Sequence, residues 1–149
     1  MIFNEILLIL KRKFNMVEKK VLRILYAEDE EDIRVIAQIA LEDIGGFVVK
    51  YCANGKEILA EVKNFQPDLL LLDVMMPEMD GPTTLQELRK QKESMNIPAI
   101  FMTAKIQPAE ILQYKAMGVL DVIIKPFDPM KLSENIHAVW EKYIEKNSS

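Results

Sequence analysis

The chain has 149 residues, half of them hydrophobic, with a net charge of −4 and a single cysteine. That length and apolar content suit one domain with one sizeable core. The negative balance argues against nonspecific DNA binding, and Cys52 by itself forms no internal disulfide, which fits a reducing cytosol.

The first twenty residues stand apart. Met1 to Leu10 is mostly apolar and Lys11-Arg12-Lys13 follows. The run is too short to span a bilayer. Its basic residues come after it, so it is a poor signal peptide. It reads as an extra amphipathic helix that packs on the domain, a partner or a second copy, or as a stretch upstream of a true start at Met16. Attachment to a membrane surface is the least favoured reading, because one short apolar patch with few basic residues binds lipid weakly. The expected division is therefore 1–20 as an extension and 21–146 as the domain.

From Val21 the pattern alternates between strand and helix. Val21 to Ala27 reads as a strand, and Glu28-Asp29-Glu30-Glu31-Asp32 follows at once. Ile33, Ala37, Ala40, Leu41 and Ile44 share one face at helical spacing, and Gly45-Gly46 stops that helix. Phe47 to Cys52 is strand-like. Asn54 can cap a helix carrying Ile58, Leu59, Val62 and Phe65. Leu69 to Leu72 is an uninterrupted apolar run ending in Asp73, as in a parallel strand covered on both faces. Pro82 suits the first turn of a helix with Leu85 and Leu88. Ile97 to Met102 runs into Thr103-Ala104, and Pro108 opens a helix with Ile111 and Leu112. Val119 to Ile124 runs into Lys125-Pro126-Phe127, and Asp128-Pro129 opens a last helix with Leu132, Ile136, Val139, Trp140 and Tyr143. Five strands alternating with five helices imply an α/β fold, a parallel sheet between two helical layers.

In such sheets, ligands collect at the carboxyl ends of the strands. Asp73 sits at one such end, with Glu28 and Asp29 at another. Crowded carboxylates repel. The acidic run also has a plainer use, favouring a helix N-terminus by about 0.3–1 kcal/mol per charge, and this suffices for Glu30, Glu31 and Asp32. It leaves the second acidic strand end unexplained. A hard divalent cation accounts for both, since Mg²⁺ takes one or two carboxylates together with phosphate oxygens. Thr103 alone reads as a cap and Lys125 alone as a solvated lysine. Together at strand ends they supply a hydroxyl and an ammonium for a phosphoryl group on Asp73.

Four segments carry a family resemblance. They are Ile-Leu-Tyr-Ala-Glu-Asp-Glu at 24–30, Pro-Asp-Leu-Leu-Leu-Leu-Asp-Val-Met-Met-Pro-Glu-Met-Asp-Gly at 67–81, Met-Thr-Ala at 102–104 and Lys-Pro-Phe at 125–127. In this order and spacing the chain, from about Val21 to about Tyr143, resembles the receiver domains of two-component response regulators. The resemblance, with right-handed crossovers, implies a flavodoxin-like three-layer sandwich with strand order 2-1-3-4-5. It implies Asp73 as phosphoacceptor, Asp29 as a direct Mg²⁺ ligand, Glu28 as a carboxylate acting through water, and the backbone carbonyl of Met75 as a further ligand. Thr103 matches the hydroxyl that binds the phosphoryl group, Lys125 the cation that pairs with it, and Lys125-Pro126 a bond that is usually cis.

Four positions depart from or vary within the family. Glu28 stands where Asp is commoner. Val122 stands where many members carry an aromatic switch residue. Met75 and Lys105 occupy two variable positions that tune phosphoryl lifetime, and apolar Met75 orients no attacking water, which implies slow self-dephosphorylation.

The implied function is a stand-alone cytoplasmic phosphoacceptor that is not a turnover enzyme. It takes its phosphoryl group from a histidine kinase or histidine phosphotransfer protein. It signals through Pro108 to Met117 and Asp128 to Tyr143, as a monomer or weak homodimer, with neither nucleic acid nor membrane as partner. A haloacid-dehalogenase-like phosphatase would need a second Asp where Met75 stands. A pseudo-receiver would not need the full acidic, hydroxyl and amine set. His137, the only histidine, takes a surface or structural role, and the nine methionines read mostly as packing.

Overall fold

The computed structural model describes residues 2–17, 21–104 and 107–148, with the side chains of 8 and 11–17 left aside. An N-terminal helix α1 (Ile2–Val17) precedes the alternating unit. That unit runs β1 (Arg23–Ala27), α2 (Glu31–Gln38, continued by a π-helical turn Ile39–Ile44), β2 (Val48–Cys52), α3 (Gly55–Phe65), β3 (Leu69–Asp73), α4 (Gly81–Arg89), β4 (Ala99–Thr103), α5 (Pro108–Ala116), β5 (Asp121–Ile124) and α6 (Leu132–Asn147). All strand pairs are parallel, in the order β2-β1-β3-β4-β5. This is the flavodoxin-like arrangement.

The four leucines of β3 show how the layers form. Successive side chains of a strand point to opposite faces. Leu69 and Leu71 enter a core with Ile24, Tyr26, Ala37 and Leu41, closed by Leu132 and Ile136 of α6. Leu70 and Leu72 enter the opposite core with Leu25, Ile58, Val62, Leu85 and Phe101. All four are fully buried, which is why the run carries no alternation. Arg23 ties the lower edge, donating to the Phe65 carbonyl while its amide donates to Asp68 Oδ2 at 2.9 Å.

Helix ends follow local chemistry. The Asn54 side chain accepts from the Glu57 amide, and that of Asp80 from the Thr83 amide, satisfying first-turn donors. Pro82 lies in the first turn of α4 and Pro108 opens α5.

Three sequence expectations need correction. Ala37, Ala40 and Leu41 are buried as expected, but Ile44 is exposed. The π-helical turn widens the repeat from four to five residues and rotates Ile44 off the inward face. The Ser133 hydroxyl donates to the Ala40 carbonyl beside that turn. On α5 no residue is fully buried, and Leu112 is 69 % exposed rather than core. The last helix begins at Leu132, not at Asp128-Pro129. Asp128 instead folds a turn, its side chain accepting from the Met130 amide and its carbonyl from those of Lys131 and Leu132. His137 lies against the Phe47 ring, 4.5 Å between centroids, in a packing role. Among the described residues no helix is long and apolar enough to cross a membrane.

Candidate functional site at the carboxyl ends of the strands

Strand register assembles the site. Ala27 pairs with Leu72, so Glu28, the next residue, stands level with Asp73. Asp73 pairs with Met102, and Thr103 with Ile124, which puts Thr103 one step and Lys125 two steps further along the same rim. Backbone bonds hold the strand ends together. The Glu28 amide donates to the Cys52 carbonyl, that of Val74 to Met102, and that of Lys125 to Thr103. The Lys125-Pro126 bond is cis.

Ligand atoms of Glu28, Asp29 and Asp73 all lie within 4.8 Å of one another. Glu28 and Asp73 are buried, and Asp29 is the most accessible of the three. Lys125 Nζ donates to Asp73 Oδ2 and to Glu28 Oε1, each at 2.9 Å, and its side chain is 12 % exposed. One ammonium thus answers two buried carboxylates.

The electrostatics follow from this crowding. Burial pushes the Glu28 carboxyl up to about 7; the Lys125 hydrogen bond opposes that rise and the neighbouring Asp73 charge reinforces it. Burial works against the Lys125 ammonium, but its hydrogen bonds to Asp73 and Glu28 outweigh that and hold its pKa above the ordinary lysine value. Three carboxylates against one lysine leave net negative charge in a poorly solvated corner. An all-oxygen donor set of this kind fits a hard divalent cation such as Mg²⁺.

Two neighbours were missed by sequence reasoning. The Tyr26 hydroxyl donates to Glu28 Oε1 at 3.4 Å, and Arg34 Nη1 donates to the Glu28 carbonyl at 2.6 Å. Tyr26 was legible in principle, since it lies two residues before Glu28 on the same strand face. Arg34 carried no such signal. Burial, with Glu28 and Asp73 nearby, pushes the Tyr26 hydroxyl far above the ordinary tyrosine value, so it stays a proton donor.

The loop after Asp73 is pinned. The Gly81 amide donates to the Val74 carbonyl at 3.0 Å. A Cβ at 81 would come within 2.5 Å of the Asp73 carbonyl oxygen, so only glycine permits this approach. Met75 is exposed on this loop, beside a cleft of about 500 Å³ lined also by Asp29, Met76, Pro77 and Tyr114. Val122 packs against the core under α3 and α4. Lys105 lies outside the described residues.

The sequence predictions for Glu28, Asp29, Asp73, Thr103 and Lys125 thus converge on one rim of the sheet, with Met75 on the adjoining loop. Residues 24–137 match the family model described as response regulator receiver domain. The chain is 37 % identical over 127 residues to a probable transcriptional regulator ycf27 of Porphyridium aerugineum, covering 85 % of this chain and 51 % of that one. It is 35 % identical over 109 residues to response regulator Rre1 of Synechocystis, covering 73 % and 47 %. The chain therefore spans about half the length of these relatives. Among solved structures, chemotaxis protein CheY4 of Vibrio cholerae aligns with a TM-score of 0.74 at 28 % identity, covering 80 % of this chain and 99 % of that one.

Proposed function

The chain belongs to the receiver domains of two-component response regulators, and on that premise we propose that Asp73 accepts a phosphoryl group from a phosphohistidine, on a kinase or a phosphotransfer protein, in a Mg²⁺-dependent reaction in the cytoplasm. The supporting observation is the cluster of Glu28, Asp29 and Asp73 with Lys125 hydrogen-bonded to two of them at the rim of the sheet. Glu28, Asp29, Asp73 and the Met75 carbonyl would hold the ion. When bound, it neutralises charge on the phosphoryl oxygens and on the attacking carboxylate.

An Asp73 carboxylate oxygen attacks phosphorus as the donor's phosphorus–nitrogen bond breaks. The imidazole nitrogen keeps the electron pair. The product is an acyl phosphate on Asp73. Lys125 then exchanges its Asp73 oxygen for a phosphoryl oxygen, and the Thr103 hydroxyl donates to another. The new group carries close to two negative charges and three strong acceptors, enough to bias loops with two accessible arrangements. The signal leaves through Pro108 to Met117 and Asp128 to Tyr143. Leu112 and Met130 are both largely exposed on these segments, and a cleft of about 450 Å³ lies between β5 and α6.

Incubation with Mg²⁺ and a small phosphodonor tests this reading. Intact mass is expected to rise by one phosphoryl group, and Trp140 fluorescence on α6 to report the transition. Asp73→Asn should abolish the mass gain; uptake retained in that variant would refute the assignment. Lys125→Ala is expected to accept phosphate yet fail to bind a partner captured by the phosphorylated wild type. Undiminished capture would remove Lys125 from the switch.

A further inference from the structure

Helix α1 presents an apolar stripe to solvent. Ile2, Phe3, Ile6, Leu7, Ile9 and Leu10 are 42–75 % exposed, and none of the described elements packs extensively on α1. Isolated helices of this length are marginal in water, and a contiguous exposed apolar patch of this kind marks an interaction site. The chain carries a second such stripe. Val35, Ile36 and Ile39 point outward from α2 and its π-helical turn, all at least 44 % exposed, on the side away from the core.

The two helices are similar in length and opposite in charge. Helix α1 has 16 residues, about 24 Å at 1.5 Å per residue, and α2 with its π-helical turn runs for a similar distance, about 21 Å. The first twenty residues hold Lys11, Arg12, Lys13, Lys19 and Lys20 against Glu5 and Glu18, a net +3, which leaves −7 for the rest of a chain totalling −4. Acidic residues bracket the α2 stripe, with Glu31 and Asp32 at one end and Glu42 and Asp43 at the other. The acidic balance of the domain disfavours an anionic lipid surface and favours a basic, apolar helix. Among the described residues of one chain, α1 leaves the α2 stripe exposed.

From this pairing we infer that the occupant of the α2 stripe is helix α1 of a second copy of this chain. Exchange in both directions closes a two-fold dimer with two equivalent helix-on-helix contacts.

Light scattering on the eluting full chain, across a concentration series, tests the inference. Twice the monomer mass is expected. Ile6→Glu with Ile9→Glu should yield monomers, as should Val35→Glu with Ile39→Glu, each with the domain still unfolding in one cooperative step in urea. Mixing the two variants should restore a dimer, because one still offers an intact α1 and the other an intact α2 stripe. A wild-type chain monomeric throughout overturns the inference, whether α1 then folds back on its own domain or sediments with anionic phosphatidylserine vesicles. So does an α2 variant that stays dimeric, which would mean that α1 pairs with α1, and so does a mixture that stays monomeric.

Discussion

At the carboxyl ends of β1 and β3 the protein holds charge out of water, whereas along α1 it holds apolar surface in water. Both arrangements run against the usual partition, and they are compensated differently. Glu28 and Asp73 are answered inside the chain, by Lys125 at 2.9 Å from each, with Tyr26 and Arg34 fixing Glu28 from two sides. Ile2, Ile6 and Ile9 stay at least half exposed among the described residues. Buried charge is so costly unpaired that its compensation must be built into the fold. Exposed apolar surface costs less and can wait for a partner met by collision.

This contrast can be broken or sharpened by experiment. The largest expected effect is on chemistry. Asp73→Asn should eliminate phosphoryl uptake measured by intact mass, while Ile6→Glu should leave it unchanged; a loss in the α1 variant would tie the two regions together. Next comes stability. Leu71→Ala removes a fully buried side chain and should cost about 2–5 kcal/mol in urea unfolding. Ile6→Ala, measured at dilutions where the chain is monomeric, should stay within about 0.5 kcal/mol of wild type. A comparable cost at both positions would mean that α1 packs on the domain after all. Binding to the carboxylate cluster comes third. A hundredfold excess of Mg²⁺ over its Kd should stabilise the wild type by about 2.7 kcal/mol, seen as a raised Tm. Asp29→Ala should lose most of that rise, and an equal rise in the variant would place the ion elsewhere. The smallest effect concerns Cys52, whose thiol burial pushes up to about 12. Only the thiolate reacts, so alkylation near neutral pH should be slow in the folded protein and rapid in urea.

Legibility in the sequence tracked burial. Leu69 to Leu72 announced a central strand because both faces are covered, and Asp73 and Thr103 stood out because they end the fully buried strands β3 and β4, with Glu28 directly after β1. Where an element is only partly covered, periodicity misled. Ile44 and Leu112 keep helical spacing with the core positions of their helices, yet a π-helical turn and a thinly packed α5 leave both in solvent. The start of α6 at Leu132 was hidden because Asp128-Pro129 supplies the same signals for a turn as for a cap. Arg34 reaches Glu28 through a side-chain trajectory that no spacing rule encodes.

The close approach of Gly81 to the Asp73 carbonyl gives the molecule a stiff direction and a compliant one. The first turn of α4 is braced against β3 with no slack, closed by the Gly81–Val74 bond and capped by Asp80. A modification at Asp73 therefore cannot relax toward α4 without dragging the whole helix. Across the sheet, beyond Thr103, α5 buries no residue fully, so less packing opposes a shift on that side.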